Sequence, residues 1–290
     1  MTTRVGIALG SLATVALLST AAPAWGSVTI GQTPLSTPAA TCTSQLDLVQ
    51  PTVTSATKYV VPSTIAQGTI TQWSHRAAAG SGQQLIFKVF RSAGGSNYGV
   101  VGHDGPRNLN PSSLNTFNTS IPVQAGDVIG ANSANAGSVP NGCLFAANGD
   151  SHLERPGDLP DGFGGAFTSA PDTRVNASAK VEPTNTFSFP SVAGNKRGFA
   201  IVTLALPNPG RLSVTGDNVG SSIHGTANIG TPGTVGVAIW ATGHKRLKLK
   251  RKRRVVVFPT FRYTPTSGAR RSQTLPVKLR LKHRKHRRHR

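Results

Sequence analysis

The sequence predicts an all-β protein: a jelly-roll-like or other antiparallel β-sandwich, followed by a small immunoglobulin-like β module and a disordered basic tail. Short apolar segments recur between turn residues, and the 290 residues include 32 Gly and 20 Pro. No stretch after the first 26 residues keeps the apolar spacing of an amphipathic helix. Regularly spaced short strands of this kind are typical of a sandwich or barrel.

Residues 1–26 have the pattern of a secretory signal peptide. Arg4 supplies a positive start, residues 5–18 are apolar and uncharged, and the small residues around Ala24 suit cleavage. An uncleaved anchor is the alternative, but Gly, Ser and Thr within the run favour removal. We therefore expect a secreted or cell-envelope-associated protein with no membrane span after cleavage.

Residues 42–207 are predicted to form the sandwich, after a flexible, uncharged leader at residues 27–41. The segment 174–181 alternates most clearly, with four small apolar side chains on one face, and 84–90 is apolar on both faces, as in a central or covered strand. The ten predicted strand segments are 45–49, 58–61, 68–75, 84–91, 98–102, 115–123, 127–132, 143–147, 174–181 and 198–206.

Cys42 and Cys143 are the two cysteines of the chain. An even number of cysteines in an exported protein predicts a disulfide, which ties the N-terminal segment to a strand. Two separate buried thiols are the alternative. A pair of cysteines without suitably spaced histidines gives no support to a zinc site.

The sequence Pro-Asn-Pro-Gly at 207–210 predicts a domain boundary, because it interrupts the strand pattern. Residues 208–282 are then expected to form the immunoglobulin-like basic module, and residues 283–290 the tail. Leu247 and Leu249 alternate with basic residues, which indicates a further strand. The other predicted strands of this module are 211–214, 234–241, 254–263 and 273–282.

Four stretches carry a resemblance to known proteins: TITQWSHRAAAGSGQQLIFKVFR, YGVVGHDG, LNTFNTSIPVQAGDVIGAN and the C-terminal VVVFPTFRYTPTSGARRSQTLPVKLRLK. The chain resembles a group of exported bacterial β-sandwich proteins in which such a module is joined to a Lys/Arg-rich immunoglobulin-like repeat. The shared motifs are strand and turn patterns. The resemblance therefore implies the fold and carries over no catalytic residue.

Positive charge is concentrated at the C-terminal end. The chain has 31 Lys and Arg against 10 Asp and Glu, and 19 of these bases but no acid follow His244. Such a segment attracts polyanions. The predicted partners are anionic cell-envelope or extracellular polymers, with non-specific nucleic-acid binding in vitro. A solvated tail that only aids solubility is the alternative. The predicted polyanion-binding residues are Lys245, Arg246, Lys248, Lys250, Arg251, Lys252, Arg253, Arg254, Arg284, Lys285, Arg287, Arg288 and Arg290.

An acidic stretch contains Asp150, Glu154, Asp158 and Asp161. Carboxylates on a Gly-rich loop are weak candidates for a calcium site, but the spacing matches no EF-hand. An exposed loop that pairs with the basic module is the favoured interpretation.

No nucleophile elbow, zinc-protease motif, phosphate-binding loop or dinucleotide fingerprint occurs, so we expect a non-enzymatic protein without a cofactor. A carbohydrate-binding module is the main alternative, with Trp73 and Tyr98 as a candidate platform and Phe163 and Phe167 as further rings. These rings are equally suited to the core. An unrecognised polysaccharide hydrolase is the second alternative.

Overall fold

The computed structural model describes residues 26–38, 40–55 and 57–282. Within these ranges it confirms an all-β antiparallel sandwich architecture, because all strand pairs are antiparallel. The predicted signal segment up to Trp25 and the predicted tail from His283 lie outside the described residues.

The first packing unit is a sandwich of a four-stranded and a seven-stranded sheet. Its strands are β1 (Val28–Gln32), β2 (Leu46–Val49), β3 (Gln67–Arg76), β4 (Gln84–Gly94), β5 (Asn97–Asn108), β6 (Leu114–Gln124), β7 (Val128–Asn132), β8 (Leu144–Pro156), β9 (Gly164–Ala166), β10 (Thr168–Val175) and β11 (Ala177–Pro183). The strand orders are β1-β11-β3-β6 and β10-β8-β2-β7-β4-β5-β9.

The two sheets pack on a single apolar core. Trp73 of β3 stacks on Phe87 of β4, with ring centroids 5.3 Å apart, and both rings are fully buried. Strand β4 lies between β7 and β5 and buries every side chain from Leu85 to Phe90, which confirms the prediction of a covered central strand. Burying each large apolar side chain contributes about 1.5–3 kcal/mol.

The predicted strand 174–181 proves to be two strands that belong to different sheets. Val175 ends β10, Ala177 starts β11, and the chain crosses between the sheets at Asn176. The alternation of 174–181 implies a solvent-facing Asn176, but Asn176 is fully buried. Its side-chain amide donates to the carbonyl oxygens of Arg76 (2.7 Å) and Gly142 (2.6 Å), which satisfies the buried polar group. A buried amide satisfied in this way lets the backbone change sheets.

The predicted flexible leader contains a strand. Residues 28–32 pair with 177–181 as β1, so this part of the leader prediction is wrong. Gly31 has a φ of 74°, and a Cβ there would lie 2.3 Å from the carbonyl oxygen of Ala177, so the close approach of the two strands requires glycine. The strand is five residues long, too short to show a clear alternation.

The predicted disulfide between Cys42 and Cys143 is confirmed, with Cα atoms 5.9 Å apart. Cys42 also forms a backbone bridge with Asn141. The bond therefore attaches the segment before β2 to the start of β8, as expected.

The second packing unit contains two four-stranded sheets, a two-stranded ribbon and one helix. Its elements are β12 (Ser188–Gly194), β13 (Phe199–Leu206), β14 (Gly210–Thr215), β15 (Val219–Ser221), β16 (Thr226–Ile229), β17 (Gly233–Ala241), α1 (Gly243–Lys252), β18 (Arg254–Val257), β19 (Thr260–Pro265), β20 (Arg271–Thr274) and β21 (Val277–Arg280). The sheet orders are β12-β13-β17-β15, β16-β14-β19-β20 and β18-β21.

The second unit begins before the sequence-predicted boundary at Pro207. Its apolar core starts at Phe187, whereas the core of the first unit ends at Val181. Strand β13, which the sequence placed in the first module, pairs along its whole length with β17. The Pro-Asn-Pro-Gly sequence is therefore a connection between two strands of one unit.

Asn208 in that connection ties the two units together. Its side chain is fully buried, accepts from the amide of Gln67 (2.9 Å) and donates to the carbonyl oxygens of Gln67 and Thr184 (both 2.8 Å). The hydroxyl of Tyr263 donates to the Asn208 carbonyl at 2.6 Å. Burial raises the pKa of Tyr263 to about 12, so the hydroxyl keeps its proton as a donor.

Residues 243–252 form helix α1, so the strand predicted from the alternation of Leu247 and Leu249 with basic residues is wrong. Leu249 is buried, while Leu247 is exposed to solvent. Lys, Arg and Leu all have high helix propensity, so this segment forms a helix although its leucines and basic residues alternate as in a strand. Arg253 adopts a left-handed conformation with φ of 57° and ends the helix.

Candidate polyanion-binding surface

The two packing units differ sharply in charge. Residues 26–183 contain eight Lys and Arg against nine Asp and Glu, whereas residues 184–282 contain seventeen against one, Asp217. All the salt bridges within the described ranges belong to the first unit. The positive charge of the second unit therefore has no internal acidic partner among the described residues.

Helix α1 and the residue pair that follows it carry eight of the thirteen predicted polyanion-binding residues, which we call the basic segment: Lys245, Arg246, Lys248, Lys250, Arg251, Lys252, Arg253 and Arg254. Six of them are exposed, and Lys245 and Arg253 are half-buried. The other five, from Arg284 to Arg290, lie outside the described residues. The structure thus places six of the eight on helix α1 and the other two directly after it.

The basic segment is held by the strands around it. Leu249 packs into the core of the second unit. At the helix end, the Arg253 guanidinium donates to the carbonyl of Lys282, and the Arg253 carbonyl accepts from the amide of Leu281 at 2.9 Å. Arg253 therefore has a structural contact, while the exposed cations remain available to a ligand.

Helix α1 sets its cations close together. Six of its ten residues are Lys or Arg, and ten residues extend about 15 Å along a helix axis. The helix thus carries about one positive charge every 2.5 Å, similar to the one phosphate per roughly 1.7 Å of duplex DNA. Cations at i and i+4, such as Arg246 and Lys250, repel each other, and a bound polyanion removes that repulsion.

Three arginines that sequence analysis did not single out also lie together. Arg211, Arg262 and Arg270 line one polar cleft on the sheet that contains β14 and β19. They are 51 and 8 residues apart along the chain. The strand register brings Arg211 and Arg262 together, and Arg270 lies on the connection between β19 and β20. Alternation within 211–214 and 254–263 does indicate that Arg211 and Arg262 oppose an apolar face.

The four acidic calcium candidates have four different basic partners, all in the first unit. Asp150 contacts Arg174, Glu154 lies 3.3 Å from His152, Asp158 contacts Lys88, and the Asp161 carboxylate lies 2.8 Å from His103 Nδ1. Asp150 and Glu154 lie on β8 and not in a loop. Among the described residues, no three His, Cys, Asp or Glu side chains converge as metal ligands.

The expected pairing of this stretch with the basic module is therefore wrong. Asp150 and Asp158 instead pair with Arg174 and Lys88, which are cations of their own unit. Burial raises the pKa of Asp150, but hydrogen bonds from Thr54 and the Arg174 guanidinium outweigh burial and hold that pKa below its usual value.

The candidate carbohydrate platform is not on the surface. Trp73 is fully buried, and its indole nitrogen donates to Asp104 at 2.6 Å. Tyr98 and Phe167 are also buried and form an edge-to-face pair. These three rings belong to the core, and of the four aromatic residues considered only Phe163 is exposed.

Within residues 26–282, apart from the undescribed positions 39 and 56, no helix has the length and apolar composition needed to cross a bilayer. No protein-family model, curated protein or solved structure matches the chain.

Proposed function

We propose that this chain is a secreted, non-enzymatic β-sandwich protein that associates with anionic polymers of the cell envelope or extracellular space through its basic C-terminal region. The observation that carries the proposal is the concentration of eight cations in the basic segment, within a unit whose described residues include a single acid. The Cys42–Cys143 disulfide is compatible with an oxidising, extracellular location.

The proposed mechanism is electrostatic. Exposed Lys and Arg side chains of α1 replace counterions along a polyanion, and the release of those ions favours binding. Because these side chains are long and solvated, they recognise backbone charge and not the identity of each monomer. The helix supplies a high charge density, and Leu249 fixes it to the folded unit.

The test is a salt titration of binding to duplex DNA, used as a polyanion of known charge density. In the full-length protein, Lys248→Gln removes one exposed charge from the helix while keeping a residue of similar helix propensity. Lys180→Gln is the matched control, since Lys180 is an exposed lysine of the first unit.

We expect the slope of log affinity against log salt to become shallower by about 0.9 for Lys248→Gln, and not to change for Lys180→Gln. Equal effects of the two substitutions would show that only net charge matters. An affinity independent of salt would overturn the electrostatic mechanism.

A further inference from the structure

The polar cleft of the second unit has a volume of about 440 Å³ and is built on the sheet β16-β14-β19-β20. Its walls consist of the three arginines Arg211, Arg262 and Arg270, three hydroxyl residues and Asn228. It shares no residue with the basic segment. The arginine cleft is therefore a separate feature of the same unit.

Strand register fixes the positions of two of the arginines, Arg211 and Arg262. Arg211 on β14 lies opposite Thr264 on β19, which makes Arg262 its diagonal neighbour on the same face, at about 7–8 Å between Cα atoms. The intervening residues Leu212 and Tyr263 point into the core and are fully buried. Rigid strands, and not a loop, therefore present the two guanidinium groups side by side.

The charge of the cleft is not balanced by the protein. None of its three arginines takes part in a salt bridge within the described ranges. Asp217, the one acid of residues 184–282, instead accepts a hydrogen bond from the side chain of Asn218 at 2.6 Å. Like charges on neighbouring strands repel, so an anion placed between them is electrostatically favoured.

We infer that the arginine cleft binds an acidic polysaccharide through the carboxylates of its uronic acid residues. A guanidinium fork matches a planar carboxylate with two parallel hydrogen bonds. The hydroxyls of Ser213, Thr226 and Thr264 both donate and accept, as the hydroxyl groups of a sugar require.

The composition of the cleft argues against nucleic acid as its ligand. None of its lining residues is aromatic, so it offers no platform on which nucleobases stack. It also contains arginine but no lysine, which favours paired, directional contacts over a diffuse cationic surface. The inference rests on the proposed function only in that both assign an anionic polymer to the second unit.

The probe is a short oligogalacturonate, with an uncharged galactose oligomer of equal length for comparison, titrated by calorimetry into the full-length protein. Arg262→Gln removes one guanidinium of the cleft. Arg280→Gln is the matched control, because Arg280 is an exposed arginine on strand β21, outside the cleft. Both positions are solvent-exposed, and thermal melts check that the variants remain folded.

Arg262→Gln is expected to weaken oligogalacturonate binding about 10- to 100-fold, the usual range for hydrogen bonds to a charged group. Arg280→Gln should leave the affinity within about twofold, and the uncharged oligomer should not bind. Equal losses for the two variants, or no binding of oligogalacturonate to the unmodified protein, would overturn the inference.

Duplex DNA separates this inference from the proposed function. If DNA binds with a salt slope that depends on Lys248 while oligogalacturonate does not bind, the cleft inference fails and the proposed function stands. If oligogalacturonate binds through Arg262 and DNA does not bind, the cleft inference stands and the electrostatic mechanism of the proposed function fails. A larger loss of DNA binding than of oligogalacturonate binding in Arg262→Gln would identify the cleft as a nucleic-acid site and contradict the inference.

Discussion

The ammonium nitrogen of Lys88 lies 2.7 Å from Asp47 Oδ1 in the interior of the first sandwich, where the two side chains are 2% and 0% exposed. Lys88 also contacts the Asp158 carboxylate and donates to the carbonyl of Leu159 at 2.7 Å. The second oxygen of Asp47 accepts from the amide of Leu159 at 2.8 Å. The buried ion pair therefore joins strands β2 and β4 to the segment after β8.

Removal of one partner should destabilise the protein strongly. Lys88→Met leaves Asp47 buried without its cation, and we expect the free energy of unfolding to fall by about 3–5 kcal/mol. Urea denaturation measures the change. The exposed Lys180→Met should alter stability by about 0.5 kcal/mol or less. The double variant Asp47→Asn/Lys88→Met should recover part of the loss. A loss no larger than that of the control would contradict a stabilising role for the ion pair.

Acid should destabilise the first unit through His75. Its ring is fully buried, Nδ1 donates to the carbonyl of Asn176 at 2.7 Å, and Nε2 has no hydrogen-bond partner in the described part of the chain. Burial lowers the pKa of His75 from 6.5 to about 4. Between these values the unfolded chain binds more protons than the folded chain, so stability is lost as the pH falls through this window, by up to about 3 kcal/mol.

The measurement for His75 is the free energy of unfolding in urea at about pH 7 and pH 4.5. His75→Gln removes the titrating ring, and its loss of stability between these two values should be smaller than that of the unmodified protein by about 2 kcal/mol. Identical pH dependence in the two proteins would exclude His75 as the source.

Loss of the disulfide should lower stability through the unfolded chain. The bond joins residues 101 positions apart, and closing a loop of that length contributes about 4–5 kcal/mol by restricting the unfolded ensemble. We expect the double substitution Cys42→Ala/Cys143→Ala to reduce the free energy of unfolding by about 4–5 kcal/mol. Urea denaturation of the variant, compared with the oxidised protein, provides the measurement. Unchanged stability would contradict a stabilising contribution from the bond.

The basic tail should add to the salt dependence of polyanion binding. If the intact protein neutralises about 6–10 phosphates, its affinity for duplex DNA falls by roughly 10³–10⁵ between about 50 and 200 mM salt. Deletion of residues 283–290 removes five Lys and Arg and should flatten that slope while leaving the sandwich folded. Filter binding over a salt series tests this. A salt-independent affinity that survives the deletion would contradict the electrostatic contribution of the tail.

Local sequence patterns predicted the positions of many strands but not which strands pair with each other. Apolar residues on both faces predicted the central strand β4, and an even cysteine count predicted the disulfide. Helix α1 was not predicted because Leu247 and Leu249 are two residues apart, the spacing that places side chains on one face of a strand. The helix buries Leu249 and leaves Leu247 exposed, a difference that depends on packing and not on the local pattern. The crossover at Asn176 was not predicted because apolar residues continue at every second position on both sides of it, although the chain changes sheet there.

The candidate sites depend on contacts between residues far apart in sequence. Arg211 and Arg262 become neighbours only through the pairing of β14 with β19. Trp73 is a suitable residue for a sugar platform by type, but its stacking against Phe87 across the sandwich buries it. Residue types along the sequence therefore predicted the excess of positive charge in the C-terminal part of the chain. Which cations share a surface depends on the pairing of the strands, which the sequence pattern does not reveal.

The unequal charge of the two units has a kinetic consequence. A nearly neutral sandwich joined through Asn208 to a strongly cationic unit has a large permanent dipole moment. In the field of an anionic surface such a molecule rotates before it touches, so encounters begin at the cationic unit and unproductive collisions become fewer.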